Sequence, residues 1–315
     1  MQPLAFQNTY FLRSWTDHDA GSDRAISQAV YPEYREECRH PAWFPAQQLG
    51  APREWSSRYV AVETQKGERV AYTTLWELRP RRYRFDLAVR PEWQRQGIAT
   101  HLLARVMSDA AAFDATGLQA RVRDDKPEAL EFISRQGFRE SHRMGAYRLD
   151  FGHADVSDFQ QAFARLGDRG IEITNLAAVR EQDSHYLEQF HELYSAAREG
   201  WPDPDPDPAG PTPVRLDQLK RWLDDAQRPE AFFIAKHAQH YVAFTSFVGI
   251  GTAVHPEYRR KGIATLLKAG SIADAQRRGF QGQTTSTASP AMRRVLESLG
   301  YRRIWSEIRL LRAME

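Results

Sequence analysis

Two loops in the chain have residue types and spacing suited to holding an anion. The first is Gln94-Arg95-Gln96-Gly97-Ile98-Ala99 and the second is Arg259-Arg260-Lys261-Gly262-Ile263-Ala264. Each follows Val-x-Pro-Glu, and each runs through a threonine, Thr100 or Thr265, into a stretch with apolar residues at helical spacing. A loop that turns directly into a helix aims several backbone N–H groups at one spot, and the helix dipole adds partial positive charge there. Gly97 and Ala99, like Gly262 and Ala264, allow a phosphate to approach the backbone closely. Arg95, Arg259, Arg260 and Lys261 add charge at the rim. The spacing is neither that of a P-loop, which needs Gly-Lys-Ser/Thr, nor Gly-x-Gly-x-x-Gly. A plain strand–helix turn with a solvated basic face is the alternative, and the recurrence of the pattern in matching context argues against it.

That recurrence extends beyond the loops. Residues 89–103 (VRPEWQRQGIATHLL) and 254–268 (VHPEYRRKGIATLLK) are identical at nine of fifteen positions, at an offset of 165 residues. Further along, RQGF at 135–138 answers SLGY at 298–301, at an offset of 163. Two matches in the same order at nearly one offset describe two copies of a domain, the size of which is common for domains. The expected division is 1–152 and 168–315, with a linker over 153–167.

The elements around the loops agree in both copies. Aromatic and β-branched residues mark strands at 10–15, 58–63, 69–78 and 82–89, and again at 171–176, 231–237, 241–248 and 249–254. Apolar residues at helical spacing mark helices at 99–113 and 264–279. Pro127 and Gly137 bracket a shorter helix, and Pro290 opens its counterpart. Further helices are expected at 183–198 and 214–226, closing strands at 138–150 and 301–311, and short strands near 118–122 and 281–286. A Pro/Asp run at 201–213 reads as an extended loop.

Composition narrows the function classes. Across 315 residues, 43 basic and 41 acidic side chains nearly cancel, to +2. So small a charge calls for neither nucleic acid nor an anionic membrane as partner. The hydrophobic fraction of 42% is that of an ordinary globular protein. The single cysteine, Cys38, excludes an internal disulfide and a cysteine-based zinc site. No apolar run approaches a bilayer span, and the N-terminal residues lack the apolar core of a signal peptide, so a cytoplasmic protein is expected. His237 and His240 stand in a turn without further ligands nearby, and no metal is expected.

The pattern Val-x-Pro-Glu-[Trp/Tyr]-[Gln/Arg]-Arg-x-Gly-Ile-Ala-Thr, with the Gly-Phe or Gly-Tyr that closes the following helix, resembles motif A of the GCN5-related N-acetyltransferase (GNAT) superfamily. The resemblance covers nearly the whole chain, in a tandem arrangement similar to that of mycothiol synthase. It implies an α/β (α+β) fold, with two domains that each have a mixed, mostly antiparallel sheet flanked by helices and pack as an internal pseudo-dimer. It implies acetyl transfer from acetyl-CoA to an amine by direct attack through a tetrahedral intermediate. The residues it implies for acetyl-CoA are Ala88, Val89 and Gln94 to Thr100 in the first copy, and Ala253, Val254 and Arg259 to Thr265 in the second. The loop amides would hold the pyrophosphate. The preceding strand would pair with the pantetheine arm and polarise the thioester carbonyl.

An amine nucleophile must lose a proton, so the acceptor side needs a base. Asp86, three residues before Val89 and on the opposite face of the strand from Leu87 and Val89, is the candidate. An ion pair with Arg84 or another arginine is its competing role. The second copy has no acid between Phe244 and Val254, which suggests divided labour. The tyrosine that family members use as general acid is replaced by Ile133 and Leu296. Ser134, Tyr83, Tyr147 and Tyr301 are the alternatives. The expected acceptor is a small-molecule amine, with a protein amine or a CoA-binding protein without catalysis as alternatives. Asp203, Asp205 and Asp207 in the Pro/Asp loop could attract a cationic acceptor, and Tyr31 to Tyr34, Trp43 and Trp55 fall where the first acceptor groove would lie.

Overall fold

A computed structural model of the chain describes residues 9–32, 56–153, 166–199, 201, 213–224, 228–247 and 251–314. The Pro/Asp loop with its three aspartates, Tyr34, Trp43, Trp55 and all but the ends of the expected linker lie outside the described residues.

The first unit is built from β1 (Tyr10–Ser14), α1 (Ser22–Val30), β2 (Ser57–Glu63), β3 (Arg69–Arg79), β4 (Arg82–Val89), α2 (Ile98–Ala112), β5 (Gly117–Arg123) and α3 (Pro127–Arg135). Strands β1 to β4 form an antiparallel meander, and β5 runs parallel to β4. Alternation along β4 decides what each face meets. Tyr83 and Phe85 are buried with Leu103, Val106 and Ala110 of α2, and Val89 with Ile98 and Leu102. Arg84, Asp86 and Ala88 therefore face the other side, where α1 lies and Ser27 hydrogen-bonds Tyr72 of β3 at 2.9 Å. Helix α1 carries no strong signal in the sequence and is an addition to the elements expected there.

The second unit repeats the plan. It holds most of β6 (Arg139–Asp150), then β7 (Ile171–Asn175), α4 (Leu176–Gln182), α5 (Tyr186–Arg198), α6 (Leu216–Asp224), β8 (Phe232–His237), β9 (His240–Ser246), β10 (Thr252–Val254), α7 (Ile263–Arg277), β11 (Gly282–Thr287), α8 (Pro290–Ser298) and the start of β12 (Arg302–Ala313). Strands β7 to β10 form a four-stranded antiparallel sheet, and β11 pairs with β6.

The compact units do not follow the sequence division at 1–152 and 168–315. The first unit ends at Ser141 and regains the chain from Ile308, whereas His142–Glu307 is the second. The two closing strands have changed places. Ile308 and Leu310 are buried beside Leu118 and Phe138 in the first unit. Tyr147 and Leu149 are buried beside Ile272, Leu296 and Tyr301 in the second. Neither strand carries a clean alternation over its whole length, so sequence periodicity does not distinguish one assignment from the other.

Helix α7 carries a lysine where the first copy has Leu103. Lys268 is 3% exposed, and burial alone pulls its ammonium down to about 8. The unfolded chain holds the proton up to about 10.5, so at neutral pH the folded state bears a charge it disfavours, at a cost of roughly 3 kcal/mol. Because the folded pKa lies below the unfolded one, stability rises with pH between about 8 and 10.5. Lys268→Met removes the charge at similar volume. It is expected to stabilise the protein by about 1–3 kcal/mol at pH 7, with the gain shrinking in thermal melts taken above pH 8.

Candidate acetyl-CoA and acceptor sites

The two loops share one backbone conformation. Arg95 and Arg260 both take left-handed φ, at 63° and 62°, as do Gly97 and Gly262, at 82° and 79°. The glycines are the N-caps of α2 and α7, and neither helix has a side-chain cap. The first intrahelical bonds run from His101 to Gly97 and from Leu266 to Gly262. The N–H groups of Ile98, Ala99 and Thr100, and of Ile263, Ala264 and Thr265, thus precede the hydrogen-bonded ladder and point out of the helix. Space is open in front of them. A Cβ at Gly97 would meet only the Tyr10 hydroxyl, at 4.0 Å, and one at Gly262 nothing within 4 Å. Ile98 and Ile263 are buried and pin each helix start to its core. The arrangement fits a pyrophosphate, with consecutive unspent main-chain donors at an exposed loop.

The side chains divide into two groups. Gln94 Nε2 donates to Val89 O at 3.1 Å, and Arg259 Nε donates to Val254 O at 3.2 Å. Arg259 also reaches Ala197 O, at 3.0 Å. These two residues tie the loop to the end of its strand rather than offering charge at the rim. Arg95, Gln96, Arg260 and Lys261 are exposed at the loop surface. Beside the second loop lies a cavity of about 390 Å³ lined by Arg169, Ile171, His237, Glu257, Tyr258 and Lys261. There His237 Nδ1 shares a hydrogen bond with the Tyr258 hydroxyl at 2.8 Å, and no metal-binding group of acids, histidines or cysteines is found among the described residues.

The strand before each loop is open on one side. Strand β4 pairs with β5 only from Arg82 to Arg84, and from Phe85 onward its ladder is with β3 alone. Strand β10 ends its sheet and pairs only with β9. Arg90 N–H bonds Val70 O, and His255 N–H bonds Val242 O. In an antiparallel ladder, alternate residues turn their main-chain groups to the partner strand. Ala88 and Ala253 therefore spend theirs on β3 and β9. Leu87 and Val89, and Thr252 and Val254, turn theirs toward the gap. Ala88 and Ala253, both expected at the acetyl-CoA site, thus have their main-chain groups engaged by the neighbouring strand. Leu87 and Thr252, which the motif does not single out, face the gap; strand parity counted from the first residue after the strand identifies them.

Asp86 lies on the face of β4 turned away from α2, and its side chain is 30% exposed. Both its oxygens accept from Arg121 Nη2 of β5, at 3.2 and 3.3 Å. Arg84 instead donates to Gln119 Oε1 at 2.7 Å. The other residues considered for acid chemistry are elsewhere. Tyr83 stacks on Phe113 in the α2-side core. Tyr147 and Tyr301 are buried in the second unit, and Tyr301 donates to Gln283. Ile133 and Leu296 are core residues, and Ser134 is exposed.

The loop, the open strand and the flanking helices recur in known proteins. The Acetyltransferase (GNAT) family profile matches residues 24–138 and 187–301. The chain belongs to that family, as two tandem GNAT domains. Among solved structures, a GCN5-related N-acetyltransferase from Sphaerobacter thermophilus superposes with a TM-score of 0.70 at 15% identity, over 97% of this chain and 96% of that one. A tandem GNAT protein from the clavulanic acid biosynthesis pathway gives a TM-score of 0.64 at 19% identity, over 96% and 98%. A glucosamine N-acetyltransferase region of a fungal multi-domain GH3 β-N-acetylglucosaminidase gives 0.67 at 14%, over 96% of this chain and 38% of that one. At these identities the likeness is one of fold. No curated protein matches the chain in sequence. No helix among the described residues is long and apolar enough to cross a membrane.

Proposed function

We propose that the protein is an acetyl-CoA-dependent N-acetyltransferase whose acceptor is the amine of a small molecule. The observation that carries this reading is the opening of β4 beyond Arg84 directly beside an uncapped helix N-terminus. An extended thiol arm with a pyrophosphate at its far end fits that combination. Acetyl-CoA supplies an activated acyl group and a thiol leaving group. The main-chain donors of Gly97 to Thr100 would bind the pyrophosphate, and the Leu87 and Val89 N–H groups would face the thioester oxygen. The Asp86 carboxylate would take the proton of the attacking amine. As the C–N bond forms and the C–S bond breaks, the sulfur takes a proton from solvent, since the described residues place no tyrosine at the family's acid position. The protein would be a cytoplasmic one, needing no metal.

The test is thiol release from acetyl-CoA in the presence of a panel of primary amines, with product masses read directly. The expected result is amine-dependent release with one N-acetyl product per thiol. Release that is the same with and without amines would defeat the reading. Labelling of intact proteins in preference to small amines would favour a protein acceptor.

A further inference from the structure

The two copies can be compared position by position, because Ala88 and Ala253 are equivalent in sequence and in strand register. Opposite Ala88 stands Tyr72, and opposite Ala253 stands Phe244. Two residues before each alanine stand Asp86 and Gly251. These positions share the face of the open strand that is turned away from α2 or α7. In the first unit both carry a proton-bearing group, and in the second neither does.

The surroundings differ in the same sense. In the second unit Phe244 is fully buried, with ring centroids 4.8 Å from Phe190, 5.6 Å from Phe232 and 6.2 Å from Tyr194. Ala253 is 3% exposed beneath this cluster. Gly251 has φ +84°, a conformation that a β-strand aspartate does not take. Ser246 binds both its N–H and its carbonyl side. Rings of Phe190, Tyr194 and Phe232 thus pack on the face that corresponds to the Tyr72–Asp86 face of the first unit. In the first unit the same face holds polar groups. Tyr72 is partly exposed and shares a 2.9 Å hydrogen bond with Ser27, and Asp86 lies diagonal to it across the β3–β4 ladder. The Tyr31 ring nearby carries Arg123 and Lys126 over its face, at 4.9 and 5.2 Å.

We infer that acetyl transfer is confined to the first unit and that Tyr72, held by Ser27, is a positioning residue of the acceptor site there. The inference rests on the reading of the two loops as acetyl-CoA sites. Tyr72 keeps a hydroxyl on the acceptor side of the open strand, where it can accept from or donate to the incoming amine beside Asp86. Phe244 at the equivalent position shows that the fold accepts a ring there without a hydroxyl.

Hydroxylamine serves as the probe, because it is small enough to enter any open acceptor space. Its nitrogen attacks the thioester carbonyl carbon, the C–S bond breaks, and acetohydroxamate and free thiol leave in equal amounts. The full chain is assayed as wild type, Gly97→Glu and Tyr72→Phe, with acetyl-CoA binding measured in parallel. Gly97→Glu is expected to keep one equivalent of bound acetyl-CoA and to lose all acetohydroxamate formation above the uncatalysed rate. Tyr72→Phe is expected to lower kcat about tenfold, the loss of one hydrogen bond made to the reacting amine, with the KM for acetyl-CoA unchanged. Acetohydroxamate formation that persists in Gly97→Glu overturns the inference, and so does a wild type that binds acetyl-CoA in both loops and accelerates the reaction in neither. An unaltered kcat in Tyr72→Phe overturns the role of the hydroxyl. A wild type that binds no acetyl-CoA defeats instead the reading on which the inference rests.

Discussion

Calorimetric titration is expected to find two equivalents of acetyl-CoA in the wild type and one in each of Gly97→Glu and Gly262→Glu. Both glycines sit at the apex of the loop in left-handed backbone, directly ahead of the helix N–H groups that would hold pyrophosphate. A glutamate there places a carboxylate among those donors, where it takes their hydrogen bonds and repels the ligand. Like charges forced together at a binding site cost several kcal/mol, so affinity at the altered loop should fall by roughly 100-fold or more. The substitution has room, since an added Cβ meets at most the Tyr10 hydroxyl at 4.0 Å. The left-handed conformation itself costs an L-residue about 1 kcal/mol. Gly97→Ala and Gly262→Ala separate the two effects: they carry the same backbone strain without the charge and should lose less than about tenfold. If alanine and glutamate weaken binding equally, the backbone rather than the pyrophosphate is being perturbed. If the wild type binds no acetyl-CoA, the acetyltransferase reading is wrong for both loops.

The loops were legible in sequence because their requirements are local. A glycine at a left-handed N-cap, a preceding Pro-Glu turn and an apolar anchor at the first residue of the helix are needed wherever the strand–loop–helix unit stands, so they recur letter for letter. Three features were not legible, each for a physical reason. The openness of β4 depends on where β5 stops pairing, a fact about two strands separated by a helix. The roles of Gln94 and Arg259 depend on the strand-end carbonyl lying within reach of the side chain, and the spacing fits a phosphate contact equally well. The exchange of β6 and β12 between units concerns which sheet each strand joins, a long-range pairing that no local pattern records. The partner of Asp86 lay between these cases. An arginine was foreseeable from the many nearby, but Arg84 and Arg121 can be told apart only by the β4–β5 register. The missing acid of the second copy was visible in the sequence. The aromatic cluster over Ala253 was not, since it combines residues from α5, β8 and β9.

Asp86→Asn is expected to lower kcat/KM for the amine by about 10²–10⁴, the range for loss of a positioned general base, while leaving acetyl-CoA affinity within about twofold of wild type. The asparagine matches the carboxylate in size and retains an oxygen for Arg121, so geometry is kept and only proton-accepting power is lost. The competing role of Asp86 is structural, and its predicted signature is different. The pair with Arg121 is partly exposed, at 30% and 15% for the two side chains, and pairs of that kind contribute about 0–1 kcal/mol to stability. A purely structural Asp86 would therefore shift the melting temperature slightly and leave turnover alone. Arg121→Gln completes the comparison. It frees the carboxylate without removing it, so a positioning role for the arginine gives a loss in kcat smaller than that of Asp86→Asn and no loss beyond it in the double variant. Additive losses would mean that the two residues act separately, with Arg121 contacting the acceptor itself. A turnover unchanged in Asp86→Asn would remove Asp86 from the chemistry. The amine proton would then have to leave through water, since neither the Tyr72 nor the Ser27 hydroxyl on that face is a base at neutral pH.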